Sequence, residues 1–236
     1  MQRTAAQRLV LSGNLALAYA VKQLDVDVVP AYPITPSTIV VERISKYVAD
    51  GEMKGKLLLV ESEHSAISAA LAAGAAGARV FTATSSQGLL LMHEVLFATA
   101  GLRIPVVMGI ANRAISVPIN ILNDHSDVMA QRDSGWIQIF AESIQELYDK
   151  TIQAFRVAED TAVRLPVMVN YDGYLLSHAY EVFSPLEDRE VAEFCPRTAS
   201  PFRLSPSESV TVGAFHSDEH YFEAKYSSAR GLEDST

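Results

Sequence analysis

The sequence predicts an α/β domain, a parallel sheet with helices packed on both faces. Short, continuously apolar runs such as 57–60 (LLLV) and 105–111 (PVVMGIA) alternate with segments of helical periodicity. Strands that are apolar on successive residues are buried on both faces, as parallel strands are. At 236 residues, 49% hydrophobic and 20% charged, the chain is long enough for one sizeable core.

Residues 14–22 (NLALAYAVK) read as a helix and 26–32 (VDVVPAY) as a short buried strand stopped by Pro33 and Pro36. Residues 38–50 form an amphipathic helix with Ile39, Val40, Ile44 and Val48 at helical spacing, terminated at Gly51. The second strand is 57–60, and the helix over 63–76 is so rich in alanine that it must pack closely on a neighbour. A third strand at 79–84 (RVFTAT) leads through Ser-Ser-Gln-Gly into a helix over 86–100. The fourth strand, 105–111, is followed by a polar loop over 112–133, a helix over 143–159 and a last strand at 166–172 (PVMVNYD). Beyond Phe183 the pattern decays into a proline- and serine-rich stretch in which 210–215 is the one strand-like run. The expected division is therefore a domain over 1–183 and an extended arm or linker over 184–236, leading towards a further domain.

Composition narrows the function classes. A single cysteine, Cys195, excludes an intrachain disulfide framework and any cysteine-ligated iron–sulfur cluster built from this sequence alone. It fits a reducing, cytoplasmic setting. The first residues carry no signal-peptide pattern, and no run of about 18 apolar residues predicts a membrane span. The net charge of −9 argues against nucleic acid as a partner.

Open parallel sheets bind ligands at the carboxyl ends of their strands. That rule selects the loops 32–36, 60–64, 84–88, 111–115 and 172–178. In the first, prolines hold the backbone extended and Thr35 faces a ligand, or the segment merely ends a strand with Ser37 or Thr38 as helix cap. Glu63 either opens its helix to suit the macrodipole or projects into the cleft as a buried carboxyl able to share a proton. Thr84-Ser85-Ser86-Gln87-Gly88 is one residue short of a nucleophile elbow, and Asp172 and His178 follow in the chain order of a hydrolase triad; the alternative is a helix entry that binds a polar ligand. Arg113 offers a forked donor set suited to a carboxylate, or else a surface ion pair. Asp124, His125 and Asp127 are metal ligands by type but lack further ligands at helical spacing, so a hydrogen-bonded loop or subunit contact competes. There is no G-x-G-x-x-G.

Seven motifs then occur in order: YPITPS at 32–37, ESEHSAI at 61–67, TATSSQGLLLMHE at 82–94, ANR at 111–113, NDHSD at 123–127, RDSGWIQ at 132–138 and DGYLLSH at 172–178. Together they resemble the alpha subunit, or first domain, of pyruvate:ferredoxin oxidoreductase and its 2-oxoacid relatives, across about residues 10–180 and more weakly at 211–215. The resemblance implies a transketolase-like domain that binds the pyrimidine half of thiamine diphosphate. The diphosphate-binding beta subunit and gamma and delta subunits would lie elsewhere, with Mg2+ and [4Fe–4S] clusters held by these partners. The implied activity is oxidative decarboxylation of a 2-oxoacid to carbon dioxide and an acyl thioester of coenzyme A. Electrons would pass through partner subunits to ferredoxin or flavodoxin.

By position, Glu63 resembles the catalytic glutamate that bonds the aminopyrimidine ring. Thr35 and Arg113 resemble the residues that hold the substrate carboxylate, and Pro33, Ile34, Ser86, Gln87 and Gly88 would line the cofactor. Oxalate-using relatives carry arginine at the position of Thr35 and aspartate at that of Asn112, so this pair implies pyruvate or another monoanionic 2-oxoacid. A serine hydrolase using Ser86 and a non-catalytic module of the same fold are the rival readings.

Overall fold

The computed structural model describes residues 8–197, 200, 206–207, 209–213 and 216–236. In chain order the elements are β1 (Leu9–Ser12), α1 (Gly13–Gln23), β2 (Val28–Ala31), α2 (Thr38–Ala49), β3 (Lys56–Leu59), α3 (Glu63–Ala75) and β4 (Val80–Thr84). They continue as α4 (Ser86–Leu91), α5 (His93–Gly101), β5 (Val106–Asn112), α6 (Ser126–Met129), β6 (Ile137–Phe140) and α7 (Ile144–Ala158). The last are β7 (Val167–Asp172), α8 (Leu175–His178), β8 (Tyr180–Phe183), α9 (Asp188–Phe194) and α10 (Asp218–Glu233).

Six strands make one parallel sheet in the order β3-β2-β4-β5-β7-β6. Thr84 pairs with Ile110 and Asn112 with Asp172, which brings the carboxyl ends of β4, β5 and β7 to one edge. β1 and β8 form a separate antiparallel ribbon.

The central strands β4, β5 and β7 feed two cores, as their continuous apolar runs require, whereas β3, from the run 57–60 expected to be buried on both faces, lies at the sheet edge with Leu58 and Leu59 exposed. From β5, Val107 and Ala111 pack with α1, α2 and α7, whereas Val106, Met108 and Ile110 pack with α3, α4 and α5. Residues such as Tyr148, Phe155 and Leu96 are completely enclosed, each contributing about 1.5–3 kcal/mol by leaving water. The small residues of α3 allow the close approach expected of them: a Cβ on Gly74 would stand 2.5 Å from Ile104 Cγ2.

Several elements differ from the sequence-based expectation. The helix over 86–100 is two helices, α4 and α5, meeting at Met92. The loop over 112–133 contains α6, the sheet gains β6 as an edge strand, and β7 is followed by α8 and β8. The segment expected to be extended holds α9, whose Val191 joins the α1 core, and α10. Within the strand-like run 210–215, residues 210–213 form no strand, and Ala214 and Phe215 lie outside the described residues.

Candidate functional site: the carboxyl edge of the sheet

β4 ends at Thr84, and the turn through Ser85 and Ser86 starts α4. Ser86 has φ 46°, the left-handed region that costs a residue bearing a Cβ about 1–2 kcal/mol. Surrounding bonds hold it there: its N–H donates to Asp127 Oδ2 at 3.0 Å and its Oγ to the Ala114 carbonyl at 2.6 Å. Ser85 Oγ donates to the Ala111 carbonyl at 2.7 Å, tying the same turn to β5.

Glu63 is the first residue of α3, but the cap is Ser62, whose Oγ accepts the Ser65 N–H at 3.1 Å. The Glu63 side chain is therefore free to turn inward, where it is buried. It lies across Gly88: a Cβ built on Gly88 would stand 2.7 Å from Glu63 Oε1, 2.9 Å from Glu63 Cγ and 2.5 Å from Thr84 Oγ1. Among the described residues the Glu63 carboxyl has no hydrogen-bond partner, and Thr84 Oγ1 is buried without one. The Glu63 carboxyl and the unsatisfied Thr84 hydroxyl thus crowd the backbone of residue 88 so closely that only glycine fits there. An orphaned buried hydroxyl costs about 1–3 kcal/mol, and a polar heterocycle offering an amino group and a ring nitrogen would give both Thr84 and Glu63 a partner. The donor set fits the aminopyrimidine of thiamine diphosphate.

Arg113, just past β5, is also buried. Its N–H donates to Asp127 Oδ2 at 3.1 Å, Nη1 donates to the Thr35 carbonyl at 2.6 Å, and Nη2 donates to Gln87 Oε1. Nε has no partner. Burial lowers the guanidinium pKa and the Asp127 charge opposes that fall. The fork keeps N–H donors in reserve beyond the two it gives to Thr35 and Gln87.

The loop bearing Thr35 is held from its other side by α1: Asn14 Nδ2 donates to the Pro36 carbonyl at 2.9 Å, and Tyr171 OH donates to Asn14 Oδ1 at 2.7 Å. Gly173 presses against the same region, since a Cβ there would stand 2.0 Å from the Asn112 carbonyl.

The structure thus joins Glu63 to Gly88, and Gln87 to Arg113 and Thr35, through the single turn at 84–88. It is the Thr35 carbonyl that meets Arg113, while the residue itself is exposed. Pro33 is exposed and Ile34 half-buried on the same loop, and the Ile34 carbonyl accepts both the N–H and the Oγ–H of Ser37 at 2.9 Å. Asn112 is enclosed and gives its Nδ2 to Asp127 at 3.0 Å.

The hydrolase triad is not assembled. Ser86 Oγ is buried against Ala114 and Gln87 Oε1, His178 Nδ1 is 2.7 Å from Ser177 Oγ, and Asp172 Oδ1 accepts the N–H groups of Tyr174 and Leu175. The acidic loop is divided among separate tasks: Asp124 accepts the Ser126 N–H, His125 meets the Phe140 ring edge-on, and Asp127 faces inward. Among the described residues no group of three or more His, Cys, Asp or Glu is placed to hold a metal ion. Thr84, Asn14 and Tyr171 are contributors that the sequence did not single out. A polar residue inside an otherwise apolar strand or at a helix entry is the only signal each leaves.

Over residues 19–235 the chain matches the family model for the thiamine-diphosphate-binding region of pyruvate flavodoxin/ferredoxin oxidoreductases. Pyruvate synthase subunit PorA of Methanothermobacter thermautotrophicus is 48% identical over 224 residues, which is 95% of this chain and 58% of that protein. The PorA subunit of Thermotoga maritima is 50% identical over 228 residues, 96% of this chain and 58% of the relative. Ketoisovalerate oxidoreductase subunit VorA of Pyrococcus abyssi is 46% identical over 226 residues, 95% and 57% respectively. The chain therefore spans less than three-fifths of the length of these relatives. A solved structure of 2-oxoglutarate:ferredoxin oxidoreductase from Magnetococcus marinus, with 2-oxoglutarate, coenzyme A and succinyl-CoA bound, shares the fold. It superposes with a TM-score of 0.82 over 98% of this chain and 46% of the other, at 19% identity. With a matched span that runs from α1 to the last residues of the sequence, the chain belongs to the pyruvate flavodoxin/ferredoxin oxidoreductase family, in its thiamine-diphosphate-binding region.

Proposed function

We propose that this chain supplies the pyrimidine-binding half of a thiamine-diphosphate site in a multi-subunit 2-oxoacid:ferredoxin oxidoreductase. The observation that carries the reading is the Glu63 carboxyl, which has no hydrogen-bond partner among the described residues and lies with the orphaned Thr84 hydroxyl against Gly88, where a Cβ would collide with both. The activity is oxidative decarboxylation of a 2-oxoacid, pyruvate first, to carbon dioxide and acyl-CoA, with electrons passed to ferredoxin.

Thiamine diphosphate, when bound, supplies the carbanion chemistry that decarboxylation needs. Glu63 would hold the pyrimidine ring through a hydrogen bond to a ring nitrogen, which would give this carboxyl the partner it lacks among the described residues. Arg113 turns its remaining N–H donors to the substrate carboxylate, and Thr35 adds a hydrogen bond from the rim. Fixing the carboxylate fixes the approach of the carbonyl carbon. One buried arginine matches one carboxylate, in keeping with a monoanionic 2-oxoacid.

A diphosphate-binding beta subunit and gamma and delta subunits would be the partners, and they would bring the Mg2+ and the [4Fe–4S] clusters. The loop after Arg113 leaves Val117, Ile119, Ile121 and Leu122 exposed, an apolar surface of the kind that obligate partners cover. Residues 1–183 would form the cofactor domain, with 184–236 leading towards the remaining length of the relatives. No helix among the described residues is long and apolar enough to cross a membrane.

The test is dye reduction by the reconstituted complex with coenzyme A, thiamine diphosphate and, in turn, pyruvate, ketoisovalerate and 2-oxoglutarate. Turnover of a monoanionic acid that requires thiamine diphosphate is expected. Turnover without added or bound thiamine diphosphate would remove the reading.

A further inference from the structure

We propose that Asp127 is the positioning residue that fixes the cofactor turn and the substrate clamp relative to each other. This inference rests on the reading of the site given above and adds to it a group that touches neither ligand. Asp127 is fully buried. Its Oδ2 accepts the N–H of Ser86 at 3.0 Å and that of Arg113 at 3.1 Å. Its Oδ1 accepts Asn112 Nδ2 at 3.0 Å and the Val128 N–H at 2.7 Å. One carboxylate therefore joins the turn after β4, the end of β5 and the start of α6.

No ion pair holds Asp127 among the described residues; its charge is met by four N–H dipoles, the arrangement in which a buried carboxylate is strongest as an acceptor. Burial pushes its carboxyl up, and the donors pull the other way. Ser86 needs such an anchor because its left-handed backbone persists only where the surroundings over-determine it. The bond to Arg113 sets where the guanidinium starts. That guanidinium then reaches Gln87 Oε1, which also accepts from Ser86 Oγ. The contacts close a ring, Asp127 to Ser86 to Gln87 to Arg113 and back, so a shift at any member moves both the turn that frames Glu63 and the clamp on the carboxylate. Sites of this kind lose rate when supporting groups drift by fractions of an ångström.

The variant Asp127→Asn keeps the shape but sets an NH2 group against two of the four N–H donors, whichever way the amide turns. In the reconstituted complex we expect the KM for pyruvate to rise at least tenfold, and the Kd for thiamine diphosphate, measured by calorimetric titration, to rise at least tenfold, with subunit assembly unchanged. The reciprocal pair Asn112→Asp with Asp127→Asn restores three of the four bonds: the new amide oxygen accepts from Ser86 and Arg113 while its NH2 donates to the new carboxylate. It should bring the Kd for thiamine diphosphate back to within a few-fold of wild type. A purely structural role would lower Tm and the yield of complex while leaving KM and Kd unchanged, and that result overturns the proposal. If Asp127→Asn alone fails to assemble, the reciprocal pair decides: a near-wild-type Kd for thiamine diphosphate supports the coupling, and a Kd still tenfold weaker, or no assembly, overturns it. A wild-type complex that binds no thiamine diphosphate removes the reading of the site, and this inference with it. A working wild type beside an unaltered Asp127→Asn removes the inference alone.

Discussion

Gly88→Ala adds one methyl group at the point where Glu63 and Thr84 converge. The new carbon would stand 2.5 Å from Thr84 Oγ1 and 2.7 Å from Glu63 Oε1, against ordinary C···O contacts of about 3.3–3.6 Å. Thr84 is enclosed on β4, so the backbone of the 84–88 turn must shift to relieve the contact with its Oγ1, and the Glu63 carboxyl must retreat by roughly 0.6 Å or more to reach an ordinary contact. Alanine inside α4 regains about 1 kcal/mol of helix propensity, while overpacking costs about 1–3 kcal/mol. The net destabilisation is at most about 2 kcal/mol, and the complex should still assemble. Misplacing a catalytic group by about 1 Å costs on the order of 100-fold in rate, so a shift of this size should lower kcat/KM roughly 10- to 100-fold. The assay is viologen-dye reduction by the assembled complex, with calorimetric titration of thiamine diphosphate alongside. Wild-type affinity and wild-type rate in Gly88→Ala would refute the argument that Glu63 and Gly88 frame the cofactor.

Two further outcomes follow from the side-chain contacts. Arg113→Lys keeps the charge but cannot reach both the Thr35 carbonyl and Gln87 Oε1 as the fork does, so KM for the 2-oxoacid should rise about 10- to 100-fold with a smaller change in kcat; an unchanged KM would detach Arg113 from the substrate. Cys195 is buried and burial pushes its thiol up to about 11, leaving roughly one part in a thousand as thiolate at pH 8. It should resist iodoacetamide in the native protein and react fully in denaturant, whereas rapid native labelling would contradict its packing against Arg79.

The main sheet was legible because β2, β4, β5 and β7 are apolar on successive residues and separated by periodic helices. β6 (IQIF) was not, since it has four residues, carries Gln138 and follows a polar loop. β1 and β8 are short, and they pair Leu9 with Phe183 across nearly the whole domain, a non-local match that no local pattern announces. The break at Met92 leaves no trace in LLLMHEVLF, which lacks glycine and proline. At the site, residue types and loops could be read in advance, but orientation could not. Ser62 rather than Glu63 does the capping, and that is what turns the glutamate inward. The Thr35 carbonyl, set by the path of the proline-rich loop, meets Arg113. Asp127 looked like a loop residue or a metal ligand because its four partners come from three separate segments, which only the folded chain brings together.

The central claim is that Glu63 acts on thiamine diphosphate, and the most direct measurement is pyruvate- and coenzyme A-dependent viologen reduction by the anaerobically reconstituted complex, wild type beside Glu63→Gln. The substitution keeps the shape of the side chain that lies over Gly88 and replaces its ionisable carboxyl with an amide. The account predicts a loss of at least tenfold in a fully assembled mutant complex. Equal activity in the two complexes would contradict it and move the proton-sharing group elsewhere.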